Sequence, residues 1–134
     1  MRIKPIAYWV TTGLLVLGMV GGAIGELMRW PDTIKGMELL GYPVYLITII
    51  GVWKLLGGIV LLVPRLPRAK EWAYAGFFFN MTGAAISHAV MNDYGVYAFH
   101  IVVTLAFAGL VVASWALRPP SRTLGMLFPG KARA

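Results

Sequence analysis

A single lysine lies in the middle of a long apolar run, where its amine could hold a ligand or pair with another polar group. Lys54 is the only charged residue in IIGVWKLLGGIVLLV, residues 49–63. A lysine at the centre of a bilayer costs about 2.5–3.5 kcal/mol on insertion scales unless it finds partners. Gly51 and Gly58 flank it at i−3 and i+4, so we expect Lys54 to face a neighbouring helix. An intramembrane charge indicates a functional site by default, and fixing of helix register is the structural alternative.

Asn80 and Trp53 are predicted to lie at the same depth as Lys54. At ~1.5 Å per helical residue, Lys54 lies about 13 Å below Tyr45, and Asn80 lies ten residues before Val90. The Asn80 side chain could therefore accept a hydrogen bond from the lysine. This count of residues predicts no carboxylate at that level.

A second polar layer is predicted nearer the outer surface, where Glu26, His88 and His100 come close to the ends of their apolar runs. Two histidines and a carboxylate are a possible metal-ligand set. Their spacing matches no established motif, however, and we assign no metal site. The alternatives are a proton or anion route, a pocket between helices for a small molecule such as a quinone, and mutual pairing that fixes the helices.

The elements that carry these residues are four long apolar runs. Hydrophobic residues make up 59% of the 134-residue chain and charged residues 13%, against about 25% in soluble domains. A bilayer core of ~30 Å needs about 20 helical residues. We predict an all-α fold, a four-transmembrane-helix bundle in residues 1–118, with helices at about 6–26, 45–63, 71–90 and 97–117. The first run exceeds the ~7–15 residues of a signal-peptide core, so we expect a spanning helix there.

The connection between the first two predicted spans is long enough to form structure of its own. Within it, DTIKGMELLGYP begins with Asp32 as a possible N-cap and places apolar residues at Ile34, Met37 and Leu40. This pattern predicts a short amphipathic segment over the outer ends of the bundle.

Positive charge is distributed unequally between the two predicted sides of the membrane. Nine cations fall on one side and two on the other, and this excess predicts that both termini are cytoplasmic. The net charge of +7 is explained by topology, so we expect lipid and no nucleic acid as a partner. Three of the nine, Arg122, Lys131 and Arg133, lie in the basic cytoplasmic tail predicted for residues 119–134. The other six are Arg2, Lys4, Arg65, Arg68, Lys70 and Arg118.

Glu71 is predicted to have a structural role. It comes just inside the third predicted helix, where a carboxylate favours the helix dipole. It could also pair with Arg65, Arg68 or Lys70 of the preceding turn.

Several kinds of chemistry have no residues to support them. The chain has no cysteine, which excludes disulfides and thiolate chemistry, so redox work would need a bound cofactor or a partner. It also shows no nucleophile motif, phosphate loop or nucleotide signature. A binding or helper protein is therefore favoured over an independent enzyme.

Four motifs in residues 40–88 resemble the DoxX-like family of small four-helix membrane proteins. They are Leu40-Gly41-Tyr42-Pro43, the glycine-flanked lysine run around Lys54, EWAYAG at 71–76, and TGAA at 82–85 leading to Ser87-His88. The similarity extends over about residues 10–115. It implies the fold, and it indicates Lys54, Glu71 and His88 as positions of interest. Relatives often carry an acidic residue where this chain has Asn80, which weakens any ion pair at that level.

The resemblance also implies redox or assembly roles, and a bacterial inner membrane as location. Relatives include a membrane subunit of an archaeal thiosulfate:quinone oxidoreductase, bacterial proteins of oxidative-stress complexes, and an animal receptor-assembly chaperone. We predict a binding or redox-associated subunit whose polar pocket takes a lipid-soluble ligand such as a quinone. The predicted ligand-binding residues are Lys54, Asn80, His88, Glu26, His100 and Trp53.

Two alternatives stay open. A non-enzymatic assembly factor or chaperone for a membrane partner would present an exposed small-residue face, such as Gly18, Gly22 and Gly25. A small proton or solute transporter would need an oligomer or a gated opening. A homo-oligomer or a membrane protein partner is expected in either case.

Overall fold

The computed structural model describes residues 3–123, apart from the side chains of residues 96 and 97, and this part of the chain is all-helical. A 3₁₀ turn follows five α-helices: α1 (Ile3–Leu27), α2 (Pro31–Leu39), α3 (Tyr45–Leu62), α4 (Pro67–Val90), α5 (Gly95–Ala116) and the turn Pro120–Arg122. Most of the predicted basic tail, residues 124–134, lies outside the described residues. The all-α prediction is confirmed.

Three helices in the described part of the chain are long and apolar enough to cross a membrane: Ile3–Leu27, Tyr45–Leu62 and Ala98–Ala116. The fourth predicted crossing, through α4, stays a prediction. Helix α4 has 24 residues but carries charges in its first turns and polar side chains further along. It begins at Pro67, earlier than the predicted position of about 71, because a proline is well suited to the first turn of a helix.

The core lies where α1, α4 and α5 meet α3. It consists of Leu15, Val16, Met19, Leu61, Tyr74, Phe77, Met81, Ala108 and Val111. The outward faces are also apolar: Leu17, Phe79 and Ile86 are among many large hydrophobic residues that are exposed. Soluble monomers rarely expose apolar surface on this scale. The surface is therefore that of a protein whose solvent is lipid.

Two glycines of α3 allow α1 to pack closely against it in antiparallel orientation. A Cβ placed at Gly51 would lie 3.2 Å from Glu26 Cβ, and one placed at Gly58 would lie 2.7 Å from Val20 Cγ2. Small residues at such contacts allow the backbones of membrane helices to approach. The neighbour expected on the glycine face of Lys54 is therefore α1.

The small-residue face of α1 is largely an internal surface. A Cβ at Gly18 would lie 2.2 Å from Phe107 Cε1 of α5, and one at Gly25 would lie 3.0 Å from Trp30. Gly22 is exposed, and a Cβ there would lie 3.5 Å from Lys54 Nζ. The exposed glycine face that an assembly factor would present is thus mostly occupied within the chain.

Helix α2 is the short segment predicted between the first two spans, but its start differs from the prediction. Trp30 is the N-cap, without a side-chain hydrogen bond, and Pro31 is the first helical residue. Asp32 lies inside the first turn, where its charge favours the helix dipole. The prediction of Asp32 as N-cap was wrong because Pro31 fixes the helical backbone one residue earlier.

Lys70 is buried, although the sequence places it among the solvated cations of a turn. Its Nζ donates to the carbonyl of Val60 at 2.6 Å, to that of Val63, and to that of Arg65 at 2.8 Å. The last carbonyls of a helix have no partner within the helix. Lys70 therefore caps the C-terminus of α3, and Arg122 assists by donating to the Leu61 carbonyl at 2.9 Å.

Glu71 is structural in its contacts, but its predicted partners and position were wrong. Its carboxylate accepts from Arg118 and, at 3.0 Å, from Trp115 Nε1. Since α4 begins at Pro67, Glu71 lies beyond the first turn and does not cap the helix. The pair ties α4 to the end of α5, a connection that residue spacing could not reveal.

Replacement of Gly58 by alanine should destabilise the bundle. The new methyl group would meet Val20 and push α1 from α3, and overpacking of this kind costs about 1–3 kcal/mol. Gly76→Ala is the matched control, since no atom lies within 4 Å of its Cβ position. We expect a lower midpoint of thermal unfolding in detergent for Gly58→Ala alone. Equal midpoints for the two variants would contradict the close contact of α1 and α3.

Candidate functional site

Lys54 and Glu26 form an ion pair between α3 and α1. Lys54 Nζ donates to Glu26 Oε1 at 2.6 Å, and the two side chains are only 11% and 14% exposed. Counting residues along the helices predicts no carboxylate at the depth of Lys54 and makes Asn80 its acceptor; both expectations were wrong. Within the described residues, the hydrogen bond of Lys54 goes to Glu26.

The directions of the two side chains explain why the count of residues failed. Side chains lean towards the N-terminus of their own helix. Helices α1 and α3 are antiparallel, so Glu26 leans down from the end of α1 and Lys54 leans up towards the start of α3. The contact of Gly51 with Glu26 Cβ holds the two helices in this register.

One oxygen of the Glu26 carboxylate has no hydrogen-bond partner in residues 3–123. Oε2 is buried and makes no hydrogen bond to any described residue. Most buried polar atoms in proteins have at least one hydrogen-bond partner, so such an atom calls for an explanation. Oε2 can accept a hydrogen bond from a hydroxyl or amide group placed in the adjoining cavity.

The first of two cavities beside Lys54, the outer cavity, is also lined by Glu26 and has a volume of about 470 Å³. It extends from Lys54 and Glu26 to the loop end of the bundle, beneath α2. Polar groups that line it include Asn80, Ser87, His88, His100 and Thr104. Tyr42 also lines this cavity, and its hydroxyl is hydrogen-bonded to Ser87 Oγ at 2.5 Å. The outer cavity thus contains every predicted ligand-binding residue except Trp53.

The second cavity, the lateral groove, has a volume of about 570 Å³ and lies between α3 and α4. It is mostly apolar and is lined by Trp53, Gly57, Trp72, Gly76 and Phe77 among others. Trp53 and Trp72 are exposed at its rim.

Lys54 and Asn80 line both the outer cavity and the lateral groove. These two side chains therefore form a wall that both spaces share. One is rich in polar groups and the other opens towards the lipid side of the bundle.

His88 and His100 are brought together by Asp93 rather than by Glu26. His88 Nδ1 donates to Asp93 Oδ2 at 2.7 Å, and His100 Nδ1 donates to the same oxygen at 2.8 Å. The two imidazole rings stack with centroids 4.8 Å apart. The carboxylate expected beside the two histidines was Glu26, and this was wrong. Asp93 takes that place, because Glu26 is paired with Lys54.

The two histidines keep the Asp93 carboxylate in its charged form. Hydrogen bonds from His100 and then from His88 hold the pKa of Asp93 below its usual value. A lowered pKa leaves the carboxylate ionised at neutral pH. An ionised oxygen with two imidazoles is therefore present at the loop end of the outer cavity.

A buried hydroxyl network, which the sequence did not predict, lies in the other half of the bundle. Ser114 Oγ lies 2.6 Å from Thr12 Oγ1 and 2.8 Å from the Tyr74 hydroxyl. Serine and threonine are common in membrane helices and give no warning in an apolar run. This network joins α1, α4 and α5, and hydrogen bonds of this kind help membrane helices to associate.

These features define a small helical membrane protein with an interior ion pair and two cavities that share the lysine of that pair as a lining residue. The chain belongs to the DoxX-like family, whose family model matches residues 10–114. No curated protein matched the chain. No solved structure matched it either.

A double-mutant cycle should show that Lys54 and Glu26 depend on each other. Removing one member of a buried pair leaves an uncompensated charge and costs about 3–5 kcal/mol. We expect Lys54→Met and Glu26→Gln each to lower the midpoint of thermal unfolding, and the double variant to lose much less than the sum. Strictly additive losses would contradict a direct ion pair.

Proposed function

We propose that this chain binds a small lipid-soluble ligand whose polar head lies against Lys54, Glu26 and Asn80. The observation that carries the proposal is that Lys54, whose amine is paired with Glu26, lines both the lateral groove and the outer cavity. Pockets between the helices of a bundle are common ligand sites, and a few polar groups in an apolar space fix the orientation of the ligand.

The membrane topology is part of the proposal. Helix α4 has 24 residues, about 36 Å at ~1.5 Å per residue, which is long enough to span a bilayer. Asn80, Ser87 and His88 lower its hydropathy, yet all three line the outer cavity. We propose four crossings within residues 1–118, both termini in the cytoplasm and, from the family, a bacterial inner membrane. The excess of cations at the α3–α4 turn and near the termini supports this orientation.

The polar head should combine an acceptor with a donor. The Lys54 ammonium donates, the unpartnered Glu26 Oε2 accepts, and the Asn80 amide can do either. Quinones offer carbonyl acceptors and quinols offer hydroxyl donors, so this class fits both sides of the pair. With no cysteine in the chain, any redox role would come from the ligand and a partner subunit.

The hydrophobic tail of such a ligand would lie in the lateral groove. Trp53, Trp72 and Phe77 give this groove an aromatic lining, and its rim is exposed to lipid. A ligand dissolved in the membrane could then enter sideways without crossing water. This route favours a lipid-soluble ligand over a water-soluble solute.

Ligand binding is favoured over the role of an assembly factor by the packing of α1. Gly18 and Gly25 belong to the small-residue face of α1 that a partner would contact, but they pack against Phe107 and Trp30 of the same chain. A membrane partner would need a different surface.

Binding of decylubiquinone, a short-chain quinone, should depend on Lys54. Loss of one hydrogen bond from a charged group is worth about 1.5–3 kcal/mol, so Lys54→Met should weaken binding by about 10- to 100-fold. Quenching of tryptophan fluorescence in detergent measures the affinity. The Lys35→Met variant carries the same chemical change at an exposed position of α2 and should bind decylubiquinone like wild type. Equal affinities for all three proteins would refute the proposal.

Two filling variants should show which space holds the tail. Gly76 lines the lateral groove and Gly83 lines the outer cavity, and neither has any atom within 4 Å of its Cβ position. We expect Gly76→Phe to abolish decylubiquinone binding with little loss of thermal stability, and Gly83→Phe to retain it. The opposite result would place the tail in the outer cavity.

A further inference from the structure

A second site, separate from the ion pair, lies where α4 turns into α5. His88, Asp93 and His100 each offer one ligand atom there, and these atoms all lie within 4.8 Å of one another. Two imidazole nitrogens and one carboxylate oxygen are a ligand set that first-row transition metals accept. The chain has only two histidines and no cysteine, so all of its imidazole ligands are gathered at one place.

The backbone of the turn holds His88 and Asp93 together before any ligand binds. Asn92 adopts a left-handed conformation with φ 55°. The Asp93 amide donates to the His88 carbonyl at 2.9 Å, and the Asn92 amide donates to the Ala89 carbonyl at 3.1 Å. These are the two bonds of a Schellman motif, in which asparagine is tolerated at the left-handed position. The turn thereby fixes two of the three ligands relative to each other.

We propose that His88, Asp93 and His100 bind a divalent transition metal ion, of the zinc or iron(II) class, at the loop end of the outer cavity. Bonds of ~2.0–2.1 Å in a tetrahedral site place ligand atoms about 3.3 Å apart. The contacts of 2.7 and 2.8 Å to Asp93 would open by roughly half an ångström towards that spacing. For this, each neutral imidazole would carry its proton on Nε2 instead of Nδ1, which frees the Nδ1 lone pair for the metal in place of the hydrogen bond to Asp93.

The burial of the three side chains suits a site with open coordination positions. His88 and Asp93 are 12% and 18% exposed, whereas His100 is 56% exposed. Both histidines line the outer cavity, so positions beyond the three protein ligands would face that space or solvent. Sites with three protein ligands and an open position are typical of metals that bind water or a further ligand.

Hydrogen bonding alone is the competing explanation, in which Asp93 only ties α4 to α5. The two explanations differ in what the site does with a metal. A hydrogen-bonded tie requires no metal and gains nothing from one. A ligand set should take up one equivalent and become more stable, because a ligand that binds only the folded state stabilises it.

Titration with Co²⁺ tests the proposal directly, because the visible d–d bands of this ion report its ligands. The full chain should be purified without a polyhistidine tag, so that only His88 and His100 can supply imidazole. We expect the bands to saturate at one equivalent, Zn²⁺ to displace them, and both ions to raise the midpoint of thermal unfolding. No saturable band in wild type would overturn the proposal.

His100→Phe is the decisive variant, since its ring can still stack on His88 while the nitrogen is lost. Because His100 is largely exposed, this change should leave the fold intact, and circular dichroism checks that it does. We expect the one-equivalent band to disappear. Asp93→Asn should weaken Co²⁺ binding by at least about 10-fold. Removing a residue that only hydrogen-bonds to a metal ligand already costs about 10- to 100-fold in affinity, and Asp93 is proposed to be a ligand itself.

Lys35→Met is the control for general effects of charge and should bind Co²⁺ like wild type. Equal Co²⁺ affinity in His100→Phe and wild type would show that the ion binds elsewhere and would overturn the proposal. The quinone titrations test Lys54 and the lateral groove, whereas the Co²⁺ titrations test the two histidines and Asp93. A negative result in one set of titrations therefore does not decide the other proposal.

Discussion

The bundle is organised around one charged contact, the pair of Lys54 and Glu26, in a setting where an unpaired charge is costly. Either charge alone would raise the free energy of the folded state, because the surrounding helices and lipid offer few polar groups to pair with it. Pairing them requires α1 and α3 to lie close and antiparallel. Gly51 and Gly58 provide that closeness, since any side chain at either position would meet α1. The glycine pattern and the ion pair are therefore two parts of a single constraint.

That constraint also shapes the space around the pair. Helix α1 packs tightly on the glycine face of α3, whereas α3 and α4 leave the lateral groove between them. The pair consequently lies at the border between close packing and open volume, with one carboxylate oxygen left unpartnered. Buried polar atoms in proteins are usually hydrogen-bonded, and a group in the outer cavity is placed to supply the bond that this oxygen lacks.

The two ends of the bundle show how polar residues finish membrane helices without exposing backbone groups. At one end Lys70 and Arg122 satisfy the carbonyls of α3. At the other, the left-handed Asn92 closes α4 and places Asp93 between two histidines. Lipid cannot hydrogen-bond to free backbone groups, so such capping is a general requirement of membrane helices. In this chain the capping also builds the cluster of imidazoles.

Hydrophobic periodicity and length determined the helices, because a span of lipid demands a run of apolar residues whatever its neighbours are. The glycine spacing likewise indicated that Lys54 faces another helix. The partners could not be derived in this way. Glu26 was not paired with Lys54, Glu71 was paired with the wrong cations and Asp93 was assigned to no site, because each pairing joins residues on different helices or across a turn. Residue counts give the depth of a Cα atom, but side-chain reach and helix register decide which atoms meet, and only the packed bundle fixes these.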